Sequence, residues 1–540
     1  MVTSGPLTTT RIIAQRLSEA GCRHAFGIPG GEVLSMMQAL EEAGVAFHLC
    51  KHENAGGFMA EGTHHATGAP GVLLATIGPG LANGVNSVVN ALQDQVPLIV
   101  LTGCVGEAEA QTYTHQVFDQ NALMRPITKA SFTIADGAAD VVIDKAVAIA
   151  MAAPQGPVHI DIPVHLADQP HPEPRRARVP VEAPMAPAPG PMLDRAREML
   201  ARSERPIVIA GVGAVAQGAG PVLQALCERF GAPLLATYKA KGLVSEDHEL
   251  TLGGHGLSPK SDKIVLPLLE QADCIILAGY DPIEMRTGWR DPWDPATAIE
   301  ITHLPNRHGM HGAAMSFVGD VRAGLEALID GLEPSASPWP DRAPAQVRAA
   351  LLSAFQGPNT WGPHQAFAAA RRSSPSDTVV TADSGAHRIL LSQMWPCFGA
   401  RGMLQSSALC TMGVALPLAM GHKLAAPERP VLAVMGDAGL EMIMGELSTL
   451  RDWRMPLAVM VMVDRSLALI ELKQRATGRA NLGVDFDKTD FAAVADAMGG
   501  VGVDIASAAQ LEDELPKAYA RETFTLLACQ IDRKAYDGAF

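Results

Sequence analysis

Short runs of β-branched and other apolar residues alternate along the chain with longer stretches whose apolar positions recur every three or four residues. GVLLATIG at 71–78, a glycine turn, a helix-compatible stretch over 82–92 and PLIVLTG at 97–103 read as strand, helix and strand. The same alternation follows with PIVIAGVG at 206–213, a helix around Gly220–Phe230, APLLATY at 232–238 and CIILAGYD at 274–281. It returns with TVVTADSG at 378–385, RPVLAVMGD at 429–437 and PLAVMVMVD at 456–464. Strands that are apolar along their whole length and alternate with helices belong to parallel sheets covered on both faces. The expected fold is α/β, with three doubly wound parallel-sheet domains.

Two proline-rich stretches, 169–192 and 333–345, punctuate the pattern. Proline fixes φ and lacks a backbone donor, so both read as extended linkers. They divide the chain into domains at 1–170, 192–333 and 346–540.

Composition narrows the function. Forty-two basic residues against 57 acidic ones leave a formal charge of −15. With no basic run to overcome that field, nucleic acid is not an expected partner. The longest apolar runs, 457–463 among them, fall far short of a bilayer span, so no membrane partner is expected. The first residues lack a basic stretch followed by an apolar one, which points to a cytoplasmic protein. Eight scattered cysteines without a CxxC pair speak against a zinc cluster or a disulfide scaffold.

Open parallel sheets present ligands at the carboxyl ends of their strands. One strand ends in Gly436-Asp437-Ala438-Gly439, ahead of a helix expected over 441–453. Small residues let the backbone approach a ligand, Asp437 offers a hard oxygen, and a helix start suits an anion. Twenty-seven residues after Asp437 the next strand ends in Asp464. Two carboxylates at successive strand ends could share one divalent cation that grips a phosphate.

This segment resembles the motif of thiamine diphosphate-dependent enzymes, usually GDG with a closing NN. The resemblance implies that Asp437 and Asp464, with the main-chain oxygen of Ser466, hold Mg²⁺ against the diphosphate. Aspartate at 464, where the family has asparagine, adds a charge that could shift metal preference. A second stretch, HLCKHENAGGFMAEGTHHATGAPGVLLATIGPGLANGV, is similar to the pyrimidine-binding domain of acetolactate synthase-like enzymes. Taken alone, Glu53 is an acidic residue at a helix start. The resemblance gives it a hydrogen bond to the aminopyrimidine ring. Gly385 and His387 match the family's D-x-G-x-H element, which helps anchor the diphosphate. In SSALCTMGVALPLAMG, Met412 matches the bulky residue under the cofactor, and Cys410 replaces a glycine whose carbonyl faces the pyrimidine amine.

The resemblance is strong in the first and third segments and weak in the middle. It implies a pyrimidine domain, a central domain and a diphosphate domain, in a homodimer or homotetramer with active sites shared between subunits. Acetolactate synthases bind FAD across the central domain and carry R-F-D-D-R, where this chain has GYDPIEMR with Tyr280, Asp281 and Glu284. Gly211-x-Gly213 alone reads as a tight strand-to-helix turn, and the GYDPIEMR run resembles relatives whose central domain has lost the flavin, which implies no FAD. Near EAQTYTHQVFDQ, Gln116 matches the family glutamine, while His115 and Val117 replace phenylalanine and glutamate. His115 is a candidate proton relay and Gln116 a candidate to orient the substrate carbonyl. His64-His65 reads as helix surface, Leu469 and Ile470 as apolar lining, and Glu471 and Lys473 as either lining or surface. The expected activity is an acetolactate synthase-like carboligase acting on a small 2-oxo acid. A 2-oxo acid decarboxylase, an acyl-transferring lyase of the same family, and a catalytically silent cofactor-binding relative remain open.

Overall fold

The structure is a computed structural model and describes residues 7–175, 183–306, 308–334 and 338–540. Parts of both proline-rich stretches, 176–182 and 335–337, lie outside the described residues.

Among the described residues the strands form three six-stranded sheets, and every pairing is parallel. The first contains His24–Ile28 (β1), Ala46–Leu49 (β2), Gly71–Ala75 (β3), Leu98–Cys104 (β4), Ala130–Thr133 (β5) and Pro157–Pro163 (β6), in the order β2-β1-β3-β4-β6-β5. The second contains Pro206–Ala210 (β7), Leu234–Ala236 (β8), Thr251–Gly254 (β9), Cys274–Ala278 (β10), Ala298–Thr302 (β11) and Met315–Val318 (β12), in the order β12-β11-β10-β7-β8-β9. The third contains Val379–Ala382 (β13), Met403–Gln405 (β14), Val431–Gly436 (β15), Ala458–Val463 (β16), Val501–Ile505 (β17) and Thr525–Gln530 (β18), in the order β14-β13-β15-β16-β18-β17. The first and third sheets thus share one strand order and the middle sheet has another.

Central strands such as β3, β7, β10 and β16 are buried at every residue, as helices on both faces of a parallel sheet require. The helix expected over 441–453 starts earlier, at Asp437, and is interrupted. Asp437–Glu441 and Glu446–Asp452 are separate helices, joined by a stretch whose Ile443, Glu446, Leu447 and Ser448 amides bond three residues back. That tighter winding turns the chain after the Asp437 loop.

The first and third domains share a core in which Phe58 and Met59 meet Leu416, Leu418 and Ala419. Helices Glu53–Thr67 and Ala415–Ala425 cross there at main-chain contact. A Cβ on Gly421 would stand 1.9 Å from the Met59 carbonyl oxygen, and one on Gly62 would stand 2.4 Å from that of Leu418. Only glycine permits this crossing from both sides. The second proline-rich stretch does more than connect. Trp339 is buried, with its indole N–H donating to the Pro206 carbonyl at 2.8 Å, because a large aromatic gains more from packing than from an extended linker. Among the described residues no helix is long and apolar enough to cross a membrane.

Candidate active site

In the first domain, β2 ends at Leu49 and His52 caps the next helix, its ring nitrogen accepting the Asn54 N–H at 3.1 Å. Glu53 is therefore the first helical residue, and its side chain is turned inward at 4% exposure. Asn83 donates to its carboxylate at 3.0 Å, a charge-assisted bond of about 1.5–3 kcal/mol. The other carboxylate oxygen lies against Gly80, where a Cβ would stand 3.3 Å away. Gln116 packs on the same turn, with its carbonyl 2.5 Å from where a Cβ on Gly78 would stand. Gln116 and Glu53 therefore flank the turn over 78–80. Gln116 holds a left-handed φ of +60° with an exposed side chain. His115 lies on the exposed part of this loop, edge-on to Tyr113 at 6.3 Å.

In the third domain, Gly436 of β15 is in register with Met462 of β16, so Asp437 and Asp464 emerge from adjacent strand ends. The Asp437 carboxylate accepts the N–H groups of Ala438 at 2.8 Å and Arg465 at 2.7 Å. Arg465 makes the turn between the two ligand positions at φ +59°. Asp464 accepts the Ser466 N–H at 3.0 Å, and Ser466 Oγ donates to Asp485 at 2.8 Å. The antiparallel bridge between this loop and Asp485 uses the Leu467 N–H and the Arg465 carbonyl, leaving the Ser466 carbonyl out of that pairing. Burial, and then the charge of Asp437, push the Asp464 carboxyl up to about 8; burial raises Asp437 as well. Two buried, mutually repelling carboxylates at adjacent strand ends suit a divalent cation. Among the described residues no three His, Cys, Asp or Glu side chains group as metal ligands, so protein coordination here would come from two carboxylates and a main-chain oxygen.

Gly385 precedes the helix Ala386–Met394, and the His387 ring lies over Gly385 and Gly436. Its Nε2 sits 2.7 Å from Asp383, whose other oxygen accepts the Gly413 N–H at 2.8 Å. Gly439 closes on the same carboxylate, with a Cβ position 2.0 Å away. Met412, just before Gly413, is half-buried; Ala438 is half-buried beside Asp437. Cys410 is exposed at φ +55°, a left-handed conformation that glycine adopts more readily. Its thiol donates to the Ser407 carbonyl at 3.2 Å and accepts from Arg388 at 3.3 Å.

The helix Pro79–Gln93 joins these pieces through one polar stripe. Asn83 holds Glu53; Asn86 donates to Asn54 at 3.1 Å and accepts from Thr411 at 3.2 Å. Asn90 donates to Glu61 at 2.9 Å and accepts from Ser406 at 2.6 Å. Asp94, just past the helix, accepts the N–H groups of Ser407 and Ala408 at 3.0 and 2.9 Å. Buried Glu446 adds a clamp by accepting the N–H groups of Lys51 and His52 at 2.8 and 3.2 Å. Sequence reasoning missed Asp383, this stripe and Glu446. The spacing of 83, 86, 90 and 94 was the available signal, since it places four polar side chains on one helix face.

One expectation changes. His64 and His65 are not helix surface: His64 is buried with Nδ1 3.0 Å from the Ala69 carbonyl, and burial drives both rings well below the usual histidine range. The close crossing with the third domain covers that face. Ile470 is exposed on this chain and Leu469 is half-buried. Glu471 is buried against Arg475, whereas Lys473 is exposed.

Three family profiles match the chain. They are the thiamine pyrophosphate enzyme N-terminal TPP binding domain over residues 7–123, the central domain over 193–328, and the C-terminal TPP binding domain over 383–529. The acetolactate synthase large subunit of Parasynechococcus marenigrum is 30% identical, the alignment covering 96% of this chain and 87% of that protein. Acetolactate synthase isozyme 3 large subunit of Escherichia coli is 28% identical over 95% of this chain and 92% of its own length. Acetolactate synthase of Bacillus subtilis is 26% identical, with 96% and 92% covered.

Proposed function

Because the chain belongs to the thiamine pyrophosphate enzyme family, acetolactate synthase-like in sequence, we propose that it is a thiamine diphosphate- and Mg²⁺-dependent carboligase joining a small 2-oxo acid to a second carbonyl compound. The observation that carries this reading is the pair of buried carboxylates, Asp437 and Asp464, at adjacent strand ends, with Glu53 turned inward at a helix start in the partner fold of the same chain.

The residues present fit the cofactor. The buried, mutually repelling Asp437–Asp464 pair, with the Ser466 carbonyl, would hold the cation of a metal–diphosphate. A Cβ on Gly436 would stand 3.3 Å from the His387 ring and one on Gly439 2.0 Å from the Asp383 carboxylate, so both glycines let the braced His387 close on this loop. Exposed Cys410 and half-buried Met412 lie in the loop that leads to the Asp383 anchor at Gly413 and would contact the rings. When bound, thiamine diphosphate supplies a nucleophilic carbon that adds to a carbonyl and carries the acyl group through C–C cleavage and formation.

The chain's own part is to hold, orient and protonate. Glu53, fixed by Asn83, would accept a hydrogen from the aminopyrimidine ring and keep it in the tautomer its role needs. Gln116, across the turn over 78–80, would orient the substrate carbonyl. His115, on the same loop, would relay a proton at the substrate oxygen. The apolar side chains of Met442, just past the helix Asp437–Glu441, and of Leu482, two residues before the Val484 that pairs with Leu467, are 67% and 79% exposed. Together with exposed Ile470, they support an oligomer in which a second copy covers the site.

The test is incubation with thiamine diphosphate, Mg²⁺ and a panel of 2-oxo acids, alone and with acceptor carbonyls, with products identified by mass. Carboligation products are expected. Free aldehyde as the sole product would make the protein a decarboxylase, and no turnover with bound cofactor would make it a silent relative.

A further inference from the structure

In the middle sheet the strand order reverses between β7 and β10. In this topology dinucleotides lie across the crevice beyond the carboxyl ends of those strands. Here that crevice is built shut. A Cβ on Gly279, after β10, would stand 2.2 Å from the Ala214 nitrogen, and one on Gly213, after β7, would stand 3.0 Å from the Gly279 Cα. The loops after the neighbouring strands fold inward as well. Tyr238 and Glu284 are buried, with the Tyr238 N–H donating to the Glu284 carboxylate at 3.1 Å. Lys239, its side chain 12% exposed, pairs with Asp94 of the first domain at 2.8 Å. The cavity remaining between Val212, Val215, Ala216, Lys239, Asp94 and Arg401 measures about 30 Å³. That is room for about one water, whereas cofactor pockets run to roughly 300–1,000 Å³.

The third domain closes the junction. Arg388, 3% exposed, donates to the Ser406 carbonyl at 2.5 Å and to Cys410 Sγ. Asp94 carries two loads: it accepts the Ser407 and Ala408 N–H groups on one side and Lys239 on the other. The loop over 406–412, which presents Cys410 and Met412, is therefore tied through Asp94 to a buried ion pair with the central domain. We propose that this three-domain polar junction fills the crevice that a dinucleotide such as FAD would need, and that Lys239, acting through Asp94, is a positioning residue for the cofactor-facing loop. Breaking a buried pair leaves an uncompensated charge. The loop's two anchoring N–H bonds would then compete with water entering around Asp94.

This inference rests on thiamine diphosphate being bound at that loop, so cofactor binding to the wild-type full chain with Mg²⁺ is measured first. Failure there overturns the proposed function and leaves the junction untouched. In wild type, a fluorescence titration should show no FAD binding, and added FAD should not change turnover. Stoichiometric FAD binding would overturn the closure. Lys239→Met and Asp94→Asn should each weaken thiamine diphosphate binding by about tenfold and lower kcat with KM for the 2-oxo acid little changed. Lys239→Arg, which keeps the charge, should recover most of both. Wild-type cofactor affinity and kcat in a folded Lys239→Met, or no recovery in Lys239→Arg, would overturn the positioning role. If Lys239→Met fails to fold, Asp94→Asn and Lys239→Arg give the same reading.

Discussion

Asp383 and His387 face each other across one helical turn, with His387 Nε2 2.7 Å from Asp383 Oδ1. The second oxygen of the same buried carboxylate holds the Gly413 N–H at 2.8 Å. One side chain thus fixes the ring beside Gly436 and the turn after Met412. Asp383→Asn keeps the shape but loses charge-assisted bonds worth about 1.5–3 kcal/mol. Thiamine diphosphate affinity measured by calorimetry should fall roughly 10- to 100-fold; wild-type affinity would remove Asp383 from the site.

Glu53→Gln retains the hydrogen bond to Asn83 but removes the charge. Turnover should drop by at least about 100-fold, the scale of a lost acid–base contribution, with the circular dichroism spectrum unchanged. Near-wild-type turnover would sink the assignment.

Asp437 and Asp464 repel each other without a cation between them. Exhaustive chelation should release thiamine diphosphate, and Asp437→Ala should reproduce that loss with no chelator present. Unchanged cofactor affinity in the variant would mean that no metal bridge exists.

All eight cysteines are free, six are buried, Cys104 is half-buried and Cys410 is exposed. Burial pushes the Cys104 thiol up to about 12, which suppresses its thiolate. A chromogenic disulfide reagent should therefore label one thiol quickly in the native protein. Cys410→Ser should abolish that phase, and thiamine diphosphate with Mg²⁺ should slow it. Fast labelling that persists in Cys410→Ser would assign the reactive thiol elsewhere.

His115→Phe installs the residue common in acetolactate synthases at this position. Overall turnover should fall with cofactor affinity unchanged, and the ratio of carboligation product to free aldehyde should rise. If neither turnover nor the ratio moves, His115 serves only the exposed loop where a single chain displays it.

The doubly wound architecture was legible because β3, β7, β10 and β16 are apolar at every position, and only a sheet covered on both faces hides such strands. Glu53, Asp437 and Asp464 were legible because each follows directly on a strand or opens a helix. Asp383 escaped notice although its motif was recognised, because its work is to brace His387 and Gly413, and bracing depends on a loop 30 residues away. His64 and His65 were misjudged for a related reason. Helical periodicity reports which face is polar, and it is silent on a second helix crossing close enough at Gly62 and Gly421 to cover that face. The break at 442–445 followed no proline or sharp polar signal, so the amphipathic pattern ran through it.

The stripe of Asn83, Asn86, Asn90 and Asp94 has a bearing on exchange of parts between relatives. Each of its side chains is matched to a particular atom on Glu53, Thr411, Ser406 or the Ser407–Ala408 amides. A chimera that grafts a relative's third domain onto this first domain inherits only half of that lock. Such a hybrid would misplace the loop at the seam unless Asn86, Asn90 and Asp94, the stripe positions that reach the third domain, travelled with the graft.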